Sequence, residues 1–146
     1  MIHLDESFLR GSYPPIITPF RNGAVDFDRF EALVDRQVRE GSHGVLITGT
    51  TAEPSSLTIA ERTDLVRAAV QTVAHRVPVV AATGSQSFAE TTTLTTEAEN
   101  AGADALLVKS LDLGTRLLEA ITSNLAKAPR SSPQEASSSS FSQRRQ

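Results

Sequence analysis

Four short runs of strand-forming residues recur along the chain at intervals of about 30 residues: Tyr13 to Phe20, Val45 to Thr48, Val77 to Thr83 and Ala105 to Val108. Helical patterns fill the gaps. Phe27, Phe30, Leu33, Val34 and Val38 form one face of a helix that opens near Asp26 and stops at Gly41, a C′ glycine. Thr58-Ile59-Ala60-Glu61 and Ser87-Phe88-Ala89-Glu90 each read as a capping box, in which hydroxyl and carboxylate satisfy orphan backbone amides reciprocally, so a second and a third helix open there. The runs GVLITG, VPVVAATG and ADALLV are almost uniformly apolar, as parallel strands covered on both faces must be. The chain is therefore of the α/β class. Doubly wound sheets and closed barrels share this local pattern, and periodicity leaves both open.

Length and composition narrow the function classes. A chain of 146 residues is expected to form one domain with a fair core, and 39% hydrophobic with 21% charged residues describes a globular protein rather than a disordered one. A formal charge of -3 offers no basic field for a nucleic-acid backbone, so no nucleic-acid partner is expected. The absence of cysteine excludes disulfides, thiolate zinc sites and cysteine nucleophiles. His3, His43 and His75 are isolated, so neither a metal nor a cofactor is expected on them. The start, MIHLDESFLRG, carries acids where a signal peptide carries bases, and no later apolar run reaches the roughly 18 residues of a membrane span. Cytoplasmic location without a membrane partner is the expectation.

The character changes after about Ser110. Leu113, Leu117, Leu118, Ile121 and Leu125 suit one more amphipathic helix, so residues 109–128 read as a divergent helical segment. Residues 129–146, PRSSPQEASSSSFSQRRQ, read as a disordered low-complexity tail. Both lysines, Lys109 and Lys127, lie in this late region, while residues 1–108 carry arginine and no lysine.

The stretch that bears on chemistry runs from Gly44 to Thr58, where a buried strand empties into a small, hydroxyl-rich loop ahead of a capped helix. Thr50 and Thr51 bring two amides and two hydroxyls to the carboxyl end of that strand, a donor set suited to a carboxylate, each charge-assisted bond being worth about 1.5–3 kcal/mol. On the residues alone a second reading stands beside it, in which the loop's serines and threonines merely lead into the helix.

The order of parts resembles the dihydrodipicolinate synthase and N-acetylneuraminate lyase superfamily of Schiff-base aldolases. Pro15-Ile16-Ile17-Thr18-Pro19-Phe20 resembles that family's opening strand, and Val25-Asp26 the start of its first helix. Its glycine-threonine-threonine-glycine-glutamate signature falls on Gly49, Thr50, Thr51, Ala52 and Glu53, with Leu57-Thr58 and Glu61-Arg62 following in register. Val79-Val80-Ala81-Ala82-Thr83-Gly84-Ser85 resembles the third strand and its loop, and Ala101-Gly102-Ala103-Asp104-Ala105 the entry to the fourth. The resemblance implies a (β/α)8 TIM barrel of which residues 1–108 supply about the first three and a half units. It implies that Thr50 and Thr51 bind the carboxylate of pyruvate or a related 2-keto acid, and that Thr50 joins a proton relay with two tyrosines. It places those tyrosines on strands four and five, and the Schiff-base lysine on strand six. It also implies homo-oligomers, and a branch that condenses pyruvate with aspartate semialdehyde in lysine biosynthesis. Other pyruvate-dependent lyases of the superfamily are the alternative, as is a non-catalytic truncated chain.

Several positions depart from the pattern. Where the family continues from strand four with threonine, proline and paired tyrosines, this chain has Lys109-Ser110-Leu111-Asp112, and its one tyrosine, Tyr13, lies in the first run. Ala52 replaces the signature's second glycine, a costly change if the position needs positive φ. Pro54 is expected to push Glu53 to an extended conformation, with Glu53 fixing loop geometry rather than acting as a base. Lys109 is expected at the surface, and Ser85 either at the mouth of the site or in an ordinary polar loop. A chain of this length stops short of the barrel's later strands, so no turnover is expected of it alone.

Overall fold

The computed structural model describes residues 10–108. Its order is β1 (Phe20–Arg21), β2 (Ala24–Val25), α1 (Phe27–Arg39), β3 (Val45–Ile47), α2 (Ile59–Val73), β4 (Val79–Ala82), α3 (Phe88–Asn100) and β5 (Ala105–Leu107). β3, β4 and β5 form a parallel sheet in that order, with Leu46 opposite Val80 and Val80 opposite Ala105.

The first run is strand-like without forming a full ladder. It lies along the free side of β3, with a parallel bridge from Pro15 to Leu46, and Ile16 N–H donates to Leu46 O at 2.9 Å. Pro14, Pro15 and Pro19 have no N–H to donate, which limits the pairing to isolated rungs. Its far end leaves the sheet altogether, because Phe20 pairs with Val25 in the β1–β2 hairpin. The other strands are shorter than the apolar runs that contain them, since each run continues past the last rung into its loop.

Four successive segments thus lie side by side in chain order. Doubly wound sheets reverse direction after their first strands, so that a third or fourth strand lies beside the first, whereas a barrel adds each strand next to the last. The helices agree with the barrel. Val45, Ile47, Val79 and Ala81 are buried on one face with Phe30, Val34, Leu65, Ala69 and Val73, and Leu106 packs against the same cluster. The alternate positions Leu46, Val80, Ala82, Ala105 and Leu107 share the opposite face, where Leu107 is 49% exposed. This is the face that points into a barrel.

Local signals set the helix ends. Asp26 caps α1 by accepting from Arg29 N–H at 3.1 Å, and its buried carboxylate lies 2.8 Å from Arg21 Nε in an ion pair. α1 ends at Arg39, and Gly41 follows at φ +89° in the left-handed region that glycine takes without strain. The box at α2 is complete, with Glu61 N–H to Thr58 Oγ1 at 3.2 Å and Thr58 N–H to Glu61 Oε2 at 2.8 Å. The box at α3 is only half made. Ser87 accepts from Glu90 N–H at 3.4 Å, but the Glu90 carboxylate turns to Ser85 Oγ at 2.7 Å, a stronger hydroxyl partner inside the preceding loop. α3 also carries five threonines, a poor composition for a helix. Two of them, Thr92 and Thr93, donate back to the carbonyls of Phe88 and Ala89.

Thr58→Ala should cost about 1 kcal/mol in urea unfolding, with Thr58→Ser close to wild type. The two hydrogen bonds from Thr58 hold the Glu61 carboxyl below its ordinary value. A depressed carboxyl stabilises the fold above its unfolded pKa, and that contribution is lost as pH falls through the lower folded value. Glu61→Gln should therefore lose less stability than wild type across that acid range, and equal slopes in the two proteins would contradict the box.

Candidate functional site

Beyond the carboxyl end of β3 the backbone leaves the sheet in one step. Thr48 takes φ +57°, and the left-handed conformation of a β-branched residue costs on the order of 1–3 kcal/mol and persists only where its surroundings enforce it. Gly49 is then extended at φ -71° and ψ -177°, followed by a 3₁₀ turn over Thr50–Ala52 and another over Pro54–Ser56. The strain therefore falls on the threonine before the signature glycine.

Two side chains hold this path. Thr48, buried, directs its hydroxyl at Ala82 O (2.8 Å) and Ile47 O (2.7 Å), and its single hydrogen serves one carbonyl at a time. Thr18, also buried, donates from its hydroxyl to Ala52 O at 2.9 Å, fastening the far side of the loop to the first run. Ala52 N–H closes on Gly49 O, and Glu53 N–H on Thr50 O.

Ala52 does not need positive φ. It sits inside the first 3₁₀ turn with 2% of its surface exposed, so its methyl group is a packed core atom. Glu53 takes the left-handed conformation instead, at φ 53° and ψ 52°, and is not extended as the following proline led us to expect. The reason lies in the joint between the turns: Glu53 ends the first turn through its N–H, its carbonyl accepts from Ser56 N–H at 2.9 Å, and Pro54 opens the second turn. Its backbone sets the loop geometry, while its carboxylate stands exposed.

Thr50 and Thr51 are exposed at this end of the sheet. Their amides begin the 3₁₀ turn and donate to no backbone carbonyl among the described residues, nor does either hydroxyl have a hydrogen-bond partner there. Two amides and two hydroxyls are thus available at one short turn. Tyr13 lies elsewhere. A Cβ on Gly44 would fall 2.1 Å from its ring, so the tyrosine packs at the amino end of β3, the end away from Thr50.

The neighbouring loop after β4 is wired into the same region. Ser85 N–H donates to Thr91 Oγ1 at 3.0 Å and its hydroxyl to Glu90, so Ser85 belongs to the loop's own bonding. Thr95 Oγ1 donates to Thr83 Oγ1 at 3.0 Å. Arg62, from α2, is buried, with Nη2 donating to Ala82 O at 3.1 Å, Nη1 3.8 Å from Glu90 Oε1, and Nε without a partner. Burial lowers its pKa from the ordinary arginine value, and Glu90 opposes that shift. The sequence marks Arg62 only as a position in register, because an arginine on an amphipathic helix gives no local sign that it turns inward. His43 is exposed and accepts from Ser12 N–H, His75 is exposed, and among the described residues no three His, Cys, Asp or Glu side chains come together as metal ligands. No described helix is long and apolar enough to cross a membrane. Lys109, His3 and the two late segments, 109–128 and 129–146, lie outside the described residues.

The dihydrodipicolinate synthetase family model matches residues 8–109. The chain belongs to this family. A 4-hydroxy-tetrahydrodipicolinate synthase from Phenylobacterium zucineum is 48% identical over 103 residues, which are 70% of this chain and 35% of that protein. The crystal structure of dihydrodipicolinate synthase from Aquifex aeolicus superposes with a TM-score of 0.67 at 37% identity, over 68% of this chain and 34% of its own. A prophage protein of the dihydrodipicolinic acid synthase family from E. coli K12, solved in complex with pyruvate, gives a TM-score of 0.73 at 30% identity, over 81% of this chain and 42% of its own. The chain spans about a third of the length of the curated relatives it matches, and its described part is the opening portion of their (β/α)8 barrel.

The two departures in the signature make opposite predictions. Ala52→Gly should destabilise by about 1 kcal/mol, by removing a buried methyl group and loosening the backbone. Glu53→Gly should be neutral within about 0.5 kcal/mol or stabilising, because it relieves a left-handed residue. Urea midpoints of both variants decide; stabilisation by Ala52→Gly would mean the strain lies at Ala52 after all.

Proposed function

We propose that this chain carries the carboxylate-binding loop of a pyruvate-dependent lyase, with Thr50 and Thr51 as the groups that hold the carboxylate of pyruvate or a related 2-keto acid. The observation that carries the reading is the pair of adjacent threonines whose amides and hydroxyls have no hydrogen-bond partner among the described residues, at the carboxyl end of a parallel strand. In barrels of this kind that end of the sheet is where chemistry is placed. The pyruvate complex of a family neighbour supports the same class of ligand.

The whole enzyme in this reading is the 4-hydroxy-tetrahydrodipicolinate synthase branch, joining pyruvate to aspartate semialdehyde through a lysine Schiff base, in the cytoplasm and as a homo-oligomer. The loop's part is electrostatic and positional. A carboxylate accepting from two hydroxyls and the amides beside them is fixed in orientation, which sets the direction of the keto carbon from the turn. Thr50 has a second duty here, as a member of a proton relay whose two tyrosine partners come from strands four and five. Tyr13, at the other end of β3, is not one of them. Lysine occurs in this chain only at Lys109 and Lys127, so we assign it ligand binding without turnover.

Titrating the isotope-labelled chain with pyruvate tests the reading by NMR. Saturable shifts at the Thr50 and Thr51 amides are expected, and Thr51→Val should weaken binding roughly tenfold through the loss of about 1.5 kcal/mol, with the shape kept. Unmoved amides at both threonines would reduce the loop to a helix entry. Incubation with pyruvate and borohydride should leave the mass of the chain unchanged, because the resemblance places the imine-forming lysine on a later strand; a stoichiometric adduct on Lys109 or Lys127 would reverse the assignment of binding without turnover.

A further inference from the structure

The parallel ladder between β3 and β4 stops one rung early. Val45 N–H donates to Pro78 O at 3.0 Å, so with this register the following rungs fall on Val80 O and then on Ala82 O, whose backbone donor would be Gly49. Gly49 N–H makes no such bond. Ala82 O is met instead by two side-chain donors, Arg62 Nη2 at 3.1 Å and Thr48 Oγ1 at 2.8 Å, the latter dividing its one hydrogen between this carbonyl and Ile47 O.

From this substitution we infer that Thr48 and Arg62 are positioning residues for the Thr50–Thr51 loop, acting on it through the carbonyl of Ala82. The inference rests on the carboxylate reading of that loop, and adds to it what keeps the threonines in place. Two backbone paths compete for the same acceptor. In one, Thr48 relaxes to extended conformation, the strand continues, and Gly49 N–H completes the ladder; each later side chain then changes face, because strand side chains alternate. In the other, the one the structure adopts, Thr48 turns left-handed and its own hydroxyl replaces the missing amide. Arg62 occupies the remaining capacity of the carbonyl, which has two lone pairs and no room for a third donor. Its guanidinium is buried, with Nε unpartnered and Glu90 no nearer than 3.8 Å, so Ala82 O is its one described hydrogen bond. A buried cation that depends on one carbonyl keeps that carbonyl from returning to the strand ladder. Thr18 fixes the other end of the loop independently, through Ala52 O, so a break at Thr48 should loosen the first turn without freeing the second side of the loop.

Amide hydrogen exchange on the full 146-residue chain tests this, read at Ala52 and Glu53, whose bonds close the first turn, against Leu65 and Val66 inside α2. Thr48→Val keeps the shape and the strain but removes the hydroxyl. Thr48→Gly removes both hydroxyl and strain, so it remains informative should the valine variant fail to fold. Both should speed exchange at Ala52 and Glu53 about tenfold or more while the α2 amides stay within twofold. Arg62→Met should act in the same direction. Thr48→Ser should restore wild-type protection, which a role in packing alone would not, since serine lacks the methyl group. Pyruvate affinity should follow the same order, about tenfold weaker in Thr48→Val and recovered in Thr48→Ser. Wild-type exchange at Ala52 and Glu53 in the valine and glycine variants would overturn the inference whatever pyruvate does. Faster exchange in a chain whose threonine amides never respond to pyruvate would support the tether and reject the carboxylate reading.

Discussion

The contact on which everything else depends is between one face of the parallel sheet and the helices laid over it. Val45, Ile47, Val79 and Ala81 meet Phe30, Val34, Leu65, Ala69 and Val73 with almost no exposed surface. Burial of this kind, worth roughly 25 cal/mol per Å² of apolar area, is what offsets the entropy of ordering three helices. It also fixes register. Slipping β4 by one residue against β3 would send Val79 and Ala81 to the uncovered face and break the ladder that ends at Ala82. The site is therefore placed by the core: the strands deliver Thr48 and Ala82 side by side, and the loop begins from that pair.

Much of this was legible in the residues because it is local. The stop at Gly41, the cap at Asp26 and the complete box at Thr58 and Glu61 follow from side chains that reach backbone within one turn. The long-range features were not. Whether the repeating units close into a barrel depends on which strands become neighbours, and only the side-by-side order of the first run, β3, β4 and β5 decided it. The first run looked like a full strand because its residue types are apolar and β-branched, yet its prolines lack donors. The half-made box at Ser87 failed because Glu90 had a competing partner in Ser85 that no spacing rule weighs.

The candidate site divides in the same way. Thr50 and Thr51 stood out as adjacent hydroxyls after a buried strand, and the structure puts both at its carboxyl end. The location of strain did not stand out. Attention fell on Ala52 because a glycine is usual there, while the left-handed residues are Thr48 and Glu53, on either side of the first turn. A tether spanning 34 residues, Thr48 to Ala82, leaves no mark in the spacing of either segment. The same is true of Arg62, which shares the polar composition of an exposed helix face and is nevertheless buried.

The threonine content of α3 has a consequence for the order in which the chain becomes structured. Five threonines in 13 residues disfavour the helix by roughly 3 kcal/mol relative to alanine, so α3 is a poor helix when isolated in water. What holds it are bonds to the neighbouring loop, Thr91 to Ser85 and Thr95 to Thr83, together with Leu94 and Ala98 in buried positions. Those partners exist only once β4 is in place. α1 and α2, with strong caps or broad apolar faces, can form early and recruit β3 and β4, whereas α3 is a late element whose helicity reports that the sheet beneath it has assembled. Nascent chains would thus gain their third helix as a product of tertiary contact, and sub-global opening of the folded state should begin there, with the first two units still intact.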